Sequence, residues 1–96
     1  MVKEVSLITI DPREAEAFES TYREVAPVLR RQPGYLHDEL LRVVESDREY
    51  FLIIHWEEIS SHKAFVDSPD FKLVDEPWGP FQKQVNVRHC RLITGS

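Results

Sequence analysis

The chain predicts an α+β domain of order β-α-β-β-α-β, and three observations carry that prediction. Residues 2–10, 35–43, 50–56 and 84–93 read as strands, bounded by Pro, Gly, Asp and Ser. Between the first two, apolar residues recur every three or four positions, the period of an amphipathic helix. A second stretch with helical spacing begins at Ser60 and separates the third strand from the fourth.

Taken in order, Val2 to Ile10 is β-branched and aliphatic and ends at Asp11-Pro12. Asp11 suits an N-cap, Pro12 the first helical position, and Glu14 the third residue of a capping box. The helix that follows carries Ala15, Phe18, Tyr22, Val25 and Leu29 on one stripe, with Arg13, Glu16, Glu19, Arg23 and Arg30 mostly off it. Pro27 removes a backbone donor, so a kink or break is predicted near Glu24-Val25-Ala26. Gln32-Pro33-Gly34 makes a turn, and Glu45-Ser46-Asp47-Arg48 is a short polar connection that pairs strands two and three as a hairpin. Ser60 or Ser61 is the predicted cap of the second helix, whose inner side holds His62, Phe65 and Val66. Ser68-Pro69-Asp70 interrupts that helix, Phe71, Leu73 and Val74 form a further turn, and Asp75 to Pro80 is predicted as a loop tipped by Trp78. The order is that of a ferredoxin-like split βαβ: a four-stranded antiparallel sheet with both helices on one face.

That arrangement leaves the other face bare. Strand three puts Phe51 and Ile53 on one side and Leu52 and Ile54 on the other. Consecutive apolar residues in a strand call for cover on both faces, so a homodimer packed through the open sheet face is predicted.

The 96 residues suit one domain, 1–96, small enough to gain from a partner subunit. Seventeen acidic residues against twelve basic ones, with no basic cluster, argue against nucleic acid or an anionic membrane surface as partner. The apolar run at the start stops at Asp11, too short for a signal sequence or membrane span. Cys90 is the only cysteine, which excludes an intrachain disulfide and fits a cytoplasmic protein.

The stretch Ala26-Pro27-Val28-Leu29-Arg30-Arg31-Gln32-Pro33-Gly34-Tyr35, the apolar strand ending Trp56-Glu57, then His62-Lys63-Ala64-Phe65 and Ser68-Pro69-Asp70-Phe71, resembles the antibiotic biosynthesis monooxygenase family. The resemblance spans nearly the whole chain and implies a dimeric α+β barrel. It admits several activities, among them cofactor-free oxygenation of aromatic polyketides, quinol oxidation, haem degradation and isomerisation, because a fold does not fix a function. Haem-degrading relatives use an Asn, a Trp and a haem-ligating His at places that hold Ser6, Phe65 and Asp75 here. A carboxylate in place of the axial imidazole argues against that branch. The polyketide oxygenases use a strand-end Trp and a polar helix residue six positions on, which Trp56 and His62 match; their Asn four residues before the Trp is Leu52 here.

Cofactor-free oxygenation requires a substrate that becomes the reductant once deprotonated, held in a dry cavity beside a base. His62 is the predicted base, since imidazole titrates near neutral pH. Trp56 is the predicted positioning group, through its ring and indole N–H. Phe18, Tyr22, Leu52, Phe65, Phe71 and Trp78 are the predicted substrate contacts, Trp78 as a lid or as a clamp on the partner subunit. Each aromatic also has a purely structural reading as core. No cofactor is predicted, and no metal. His37, His55, His62 and His89 lack helical i, i+4 pairing, and His89 and Cys90 point to opposite faces of a strand. His37 and His55, on adjacent strands, are predicted to meet across the sheet or at the dimer interface. The competing readings are a non-catalytic binder of a small apolar or aromatic molecule, and a structural dimer whose phenylalanines fill its own pocket.

Overall fold

Alternation in the first strand decides which face of the sheet becomes the core. In the computed structural model, which describes residues 1–96, β1 (Val2–Thr9) buries Val2, Glu4, Ser6 and Ile8 and leaves Lys3, Val5, Leu7 and Thr9 half-exposed. Its neighbour β3 (Glu49–Trp56) does the same with Tyr50, Leu52, Ile54 and Trp56. Side chains two apart share a face, so one covered face is built from these eight positions. β2 (Tyr35–Arg42) and β4 (Gln84–Cys90) complete an antiparallel sheet of order β2-β3-β1-β4.

The covered face reads across the strands in rows. Leu40, Leu52, Ser6 and Val87 form one, and Asp38, Ile54, Glu4 and His89 the next. On the open face the corresponding rows are Leu41-Phe51-Leu7-Asn86, Glu39-Ile53-Val5-Arg88 and His37-His55-Lys3-Cys90. The predicted bare apolar patch is therefore present, centred on Phe51, Ile53, Val5 and Leu7.

Helix α1 (Ala15–Arg30) lies on the covered face and buries Phe18, Tyr22, Val25, Ala26 and Leu29, the predicted stripe with Ala26 added. It is entered through a short 3-10 turn at Pro12–Glu14, where the Asp11 side chain accepts the Arg13 N–H at 3.0 Å. The reciprocal capping box is not formed, because the tighter turn brings Arg13, not Glu14, to the cap. The predicted break at Pro27 is absent as well, and α1 is one continuous helix. Proline inside a helix costs about 3 kcal/mol. Val25 and Leu29 are buried on either side of it, and each such side chain contributes about 1.5–3 kcal/mol, enough to hold both flanks in line.

Two further boundaries differ from expectation. Helix α2 (Ile59–Val66) starts one residue before the predicted serines, with Glu58 in extended conformation at the cap, while the Ser60 hydroxyl donates to the Glu58 carboxylate at 3.2 Å. The segment predicted as a loop at Asp75–Pro80 is instead the end of a third helix, α3 (Phe71–Trp78), and a 3-10 turn, Gly79–Phe81. Pro77 stands in the last turn, where it forfeits a single intrahelical bond, and burial of Trp78 against α1 offsets that loss. The predicted pair of helices is thus a set of three.

Gly34 sets the position of α2. Its φ of +83° lies in the left-handed region, and a Cβ there would stand 2.3 Å from the Ser61 Oγ and 2.6 Å from its Cβ. Only glycine serves both the turn and this close approach. Gly34→Ala is expected to destabilise the fold by about 1–3 kcal/mol, combining the φ cost with overpacking; the midpoint of urea unfolding measures it, and an unchanged midpoint would contradict the account.

Candidate functional site: an apolar cavity with one polar corner

Between the three helices and the covered face lies a cavity of about 280 Å³. Its wall is mostly aliphatic and aromatic: Ile8, Leu52 and Ile54 from the sheet, Tyr22, Val25, Ala26 and Leu29 from α1, Phe65 and Val66 from α2, Phe71, Val74 and Trp78 from α3. Val85 and Val87 of β4 close one side. They are themselves exposed, β4 being an edge strand.

Polar groups converge at one end. Glu4, whose side chain is 9% exposed, accepts the Trp56 indole N–H at 2.9 Å and lies 3.3 Å from His62 Nε2, all on the same oxygen, Oε1. The other nitrogen of His62, Nδ1, is 2.8 Å from His89 Nε2. The Trp56 ring stacks on the imidazole of His62 at 5.6 Å and 14°. His62 thus stands between a carboxylate oxygen at Nε2 and a second imidazole at Nδ1, and one of the two rings donates across the Nδ1–Nε2 contact. Burial pushes the His62 imidazole below its usual value; the Glu4 carboxylate partly restores it, and His89 adds to the lowering. The neutral imidazole is the form a proton acceptor needs at neutral pH.

The sheet brings these groups together. Glu4 and His89 are paired across β1 and β4, Val2 pairs with Trp56 across β1 and β3, and α2 lowers His62 onto them. The sequence alone names His62 and Trp56 as site candidates but not Glu4, and it offers His89 no place at this corner. The signal for Glu4 was its parity: in a strand whose buried positions are even-numbered, Glu4 and Ser6 are polar residues facing the core. His89 was placed on the face opposite Cys90, as the register has it, but its partner was not foreseen.

Of the predicted contacts, Tyr22, Leu52, Phe65, Phe71 and Trp78 line the cavity, with His62. Phe18 and Trp56 do not: both are fully buried behind it, Phe18 stacked on Trp78 at 4.9 Å. The Trp56 N–H is given to Glu4 and so holds the carboxylate instead of a substrate oxygen. Trp78 is neither a free lid nor a clamp on a partner. Helix α3 turns it inward, 4% exposed, where its N–H donates to the Phe18 carbonyl at 3.1 Å. Phe18, Phe65 and Phe71 leave the cavity open, against the reading in which they fill it.

The Tyr22 hydroxyl is also committed. It donates to Asp38 at 2.7 Å, and Tyr35 and Arg30 bond the same carboxylate, Arg30 through Nε at 2.8 Å and Nη2 at 3.1 Å. Burial opposes ionisation of Asp38, but Arg30 and the two tyrosines outweigh it and hold the carboxyl at about 2. Burial, then the bond to Asp38, raises the Tyr22 phenol above its ordinary value. Tyr22 thus offers the cavity its ring and not a proton.

The four histidines form two pairs on opposite faces. His62 meets His89 at the cavity; His37 and His55 meet on the open face, ring centroids 5.2 Å apart, as predicted. No three His, Cys, Asp or Glu side chains converge to hold a metal ion, and no helix is long and apolar enough to cross a membrane.

Comparison with known proteins adds the following. The family model described as antibiotic biosynthesis monooxygenase matches residues 1–76. The uncharacterised protein YczJ of Bacillus subtilis is 29% identical over 73 residues, covering 75% of this chain and 77% of its own. A mycobilin-producing heme oxygenase of Mycobacterium tuberculosis is 26% identical over 68 residues, 71% of this chain; the match spans 65% of that relative's length. Among solved structures, SnoaB, a cofactor-independent oxygenase of Streptomyces nogalater, shares the fold with a TM-score of 0.84 at 23% identity, over 98% of this chain and 94% of its own. The heme-degrader MhuD of Mycobacterium tuberculosis does so with a TM-score of 0.80 at 20% identity, over 100% and 99%.

Proposed function

Because the chain belongs to the antibiotic biosynthesis monooxygenase family, we propose that it is a cofactor-independent monooxygenase of a small phenolic, quinol or polyketide-like aromatic substrate, acting as a homodimer. The observation that carries this reading is the polar corner of Glu4 and His62, backed by His89, in a mostly apolar cavity whose other polar lining residues are Ser6, Asp75 and Gln82. A flat aromatic fits such walls, and the corner accepts its proton. The base is the Glu4–His62 pair acting as one coupled unit, with Trp56 fixing the carboxylate. The substrate anion then passes an electron to O2. For an anthrone-type carbon the balance is CH2 + O2 → C=O + H2O, with every electron drawn from the substrate, so no external reductant enters.

Haem chemistry, the activity of some relatives, does not suit these residues. No Lys or Arg lines the cavity to meet propionates, Glu4 and Asp75 are both on its wall, and both nitrogens of the one lining imidazole are engaged. The test is oxygen consumption by chelator-treated protein with a panel of anthrones, hydroquinones and catechols. Uptake without added metal or flavin supports the reading; binding of these compounds with no uptake would move the protein to the class of non-catalytic binders.

The open sheet face, with Phe51 and Leu41 exposed beside Ile53, Val5 and Leu7, supports the homodimer. Phe51→Asp is expected to raise the dimer dissociation constant at least about tenfold, as loss of a central anchor does. Sedimentation velocity measures it, and a wild-type monomer at micromolar concentration would sink the proposal.

A further inference from the structure

We propose that the second oxygen of Glu4, Oε2, is the seat of a substrate hydroxyl, so that the cavity selects neutral aromatic molecules carrying a hydrogen-bond donor at one end. This deepens the oxygenase reading and rests on it for the identity of the ligand as substrate. The side chain of Glu4 is 9% exposed and lines the cavity. Its Oε1 is occupied by Trp56 and His62, whereas no protein group bonds Oε2. No polar side-chain atom that is fully buried lacks a partner, so this oxygen faces open space, and the space beside it is the cavity.

The groups at the corner gather on one side of the carboxylate. Trp56 donates to Glu4 Oε1, His62 Nε2 stands 3.3 Å from the same oxygen, and His62 Nδ1 lies 2.8 Å from His89 Nε2. The partners of Glu4 are all on Oε1, and Oε2 is left to this end of the cavity as an acceptor, with Ser6 and Gln82 as further polar residues of the wall. A ligand that brings its own O–H completes the set. One that brings only an ether oxygen leaves Oε2 desolvated and unpaired, which costs the binding most of a charge-assisted hydrogen bond. One that brings a carboxylate meets Glu4 at close range with Asp75 elsewhere on the same wall and no lining cation. On ionisation the ligand's O–H bond breaks with its electron pair staying on the ligand oxygen, and the proton passes to Oε2, next to His62.

The probes are 1-naphthol, 1-methoxynaphthalene and 1-naphthoate, titrated calorimetrically without oxygen so that turnover plays no part. Naphthol is expected to bind at least roughly tenfold more tightly than the ether, the worth of a hydrogen bond to a charged group, and naphthoate most weakly. In Glu4→Gln, which keeps an acceptor for Trp56, the naphthol-to-ether ratio is expected to fall toward one and naphthoate binding to strengthen. A ratio unchanged by the substitution overturns the proposal. So does a wild-type protein that binds naphthoate as well as naphthol, or that binds none of the three, and these two arms stand even if the variant misfolds. Selective binding in a protein that consumes no oxygen would remove the oxygenase reading and keep the seat; oxygen consumption with no naphthol preference would do the reverse.

Discussion

Replacing His62 with alanine is expected to lower kcat in the oxygen-uptake assay by about 10²–10⁴-fold, the usual contribution of a positioned acid-base group. The substitution removes the imidazole that links Glu4 to His89 but touches neither the open sheet face nor the aliphatic wall. The dimer and the affinity for an apolar ether should therefore survive. Wild-type activity should also carry a signature in pH. Burial disfavours the charged imidazole, and His89 opposes it too, while Glu4 favours it. The net lowering keeps His62 neutral through pH 7. Activity that needs the neutral form is present above the folded-state pKa and is lost as pH falls through it, below the usual range of an imidazole. A pH profile of kcat/KM with that limb in the wild type, and without it in the variant, is the expected result. A variant that keeps wild-type kcat would remove His62 from the chemistry.

Trp78→Ala is expected to be the most damaging substitution for stability, at about 3–5 kcal/mol. Trp78 stacks on Phe18 at 4.9 Å and 25°, tilts against Tyr22 at 4.9 Å, and bonds the Phe18 carbonyl. It ties α3 to α1. At roughly 4–8 °C per kcal/mol for a domain of this size, Tm should fall by more than about 10 °C. Trp78→Phe keeps most of the packing and gives up the N–H, a loss of about 1 kcal/mol. Calorimetric melting of both variants separates the two contributions. If the alanine variant melts within a few degrees of wild type, Trp78 is not the tie between the helices.

The placement of Trp78 also marks a limit of reading by composition. Pro77-Trp78-Gly79-Pro80 has every local mark of a loop, yet α3 runs through Trp78. Local signals describe what a segment prefers alone, and here the tertiary contact with Phe18 offsets one lost helical bond. Pro27 in α1 repeats the lesson. Serine capping failed at α2 for a related reason: Ser61 is packed against Gly34, so Glu58 takes the cap.

At the site, His62 was legible because an imidazole one turn from Phe65 and Val66, just after a strand-end tryptophan, is an unusual neighbour for an apolar stripe. The contacts Tyr22, Phe65 and Phe71 were legible from helical spacing, and Leu52 only from the place it holds in the family resemblance. Trp56 was identified, but its role was not: whether an indole N–H meets a substrate or a carboxylate depends on what the adjacent strand presents. That strand presents Glu4, 52 residues away in the chain.

The sequence by itself determined the order of elements, the four strands, the amphipathic face of α1, the bare apolar side of the sheet and the family. The elements and their faces depend on periodicity of 2 or 3.6 residues or on local turn chemistry, patterns written in consecutive residues, whereas the family rests on the resemblance of its motifs. Only the tertiary structure decided that Phe18 and Trp56 stand behind the cavity wall, that Trp78 points inward, and that Glu4, His62 and His89 meet in one cluster. Those facts depend on strand register and on how α2 and α3 dock, which bring together residues from β1, α2 and β4. No periodicity encodes that meeting, because it is fixed by packing between elements and not by the preference of any one of them.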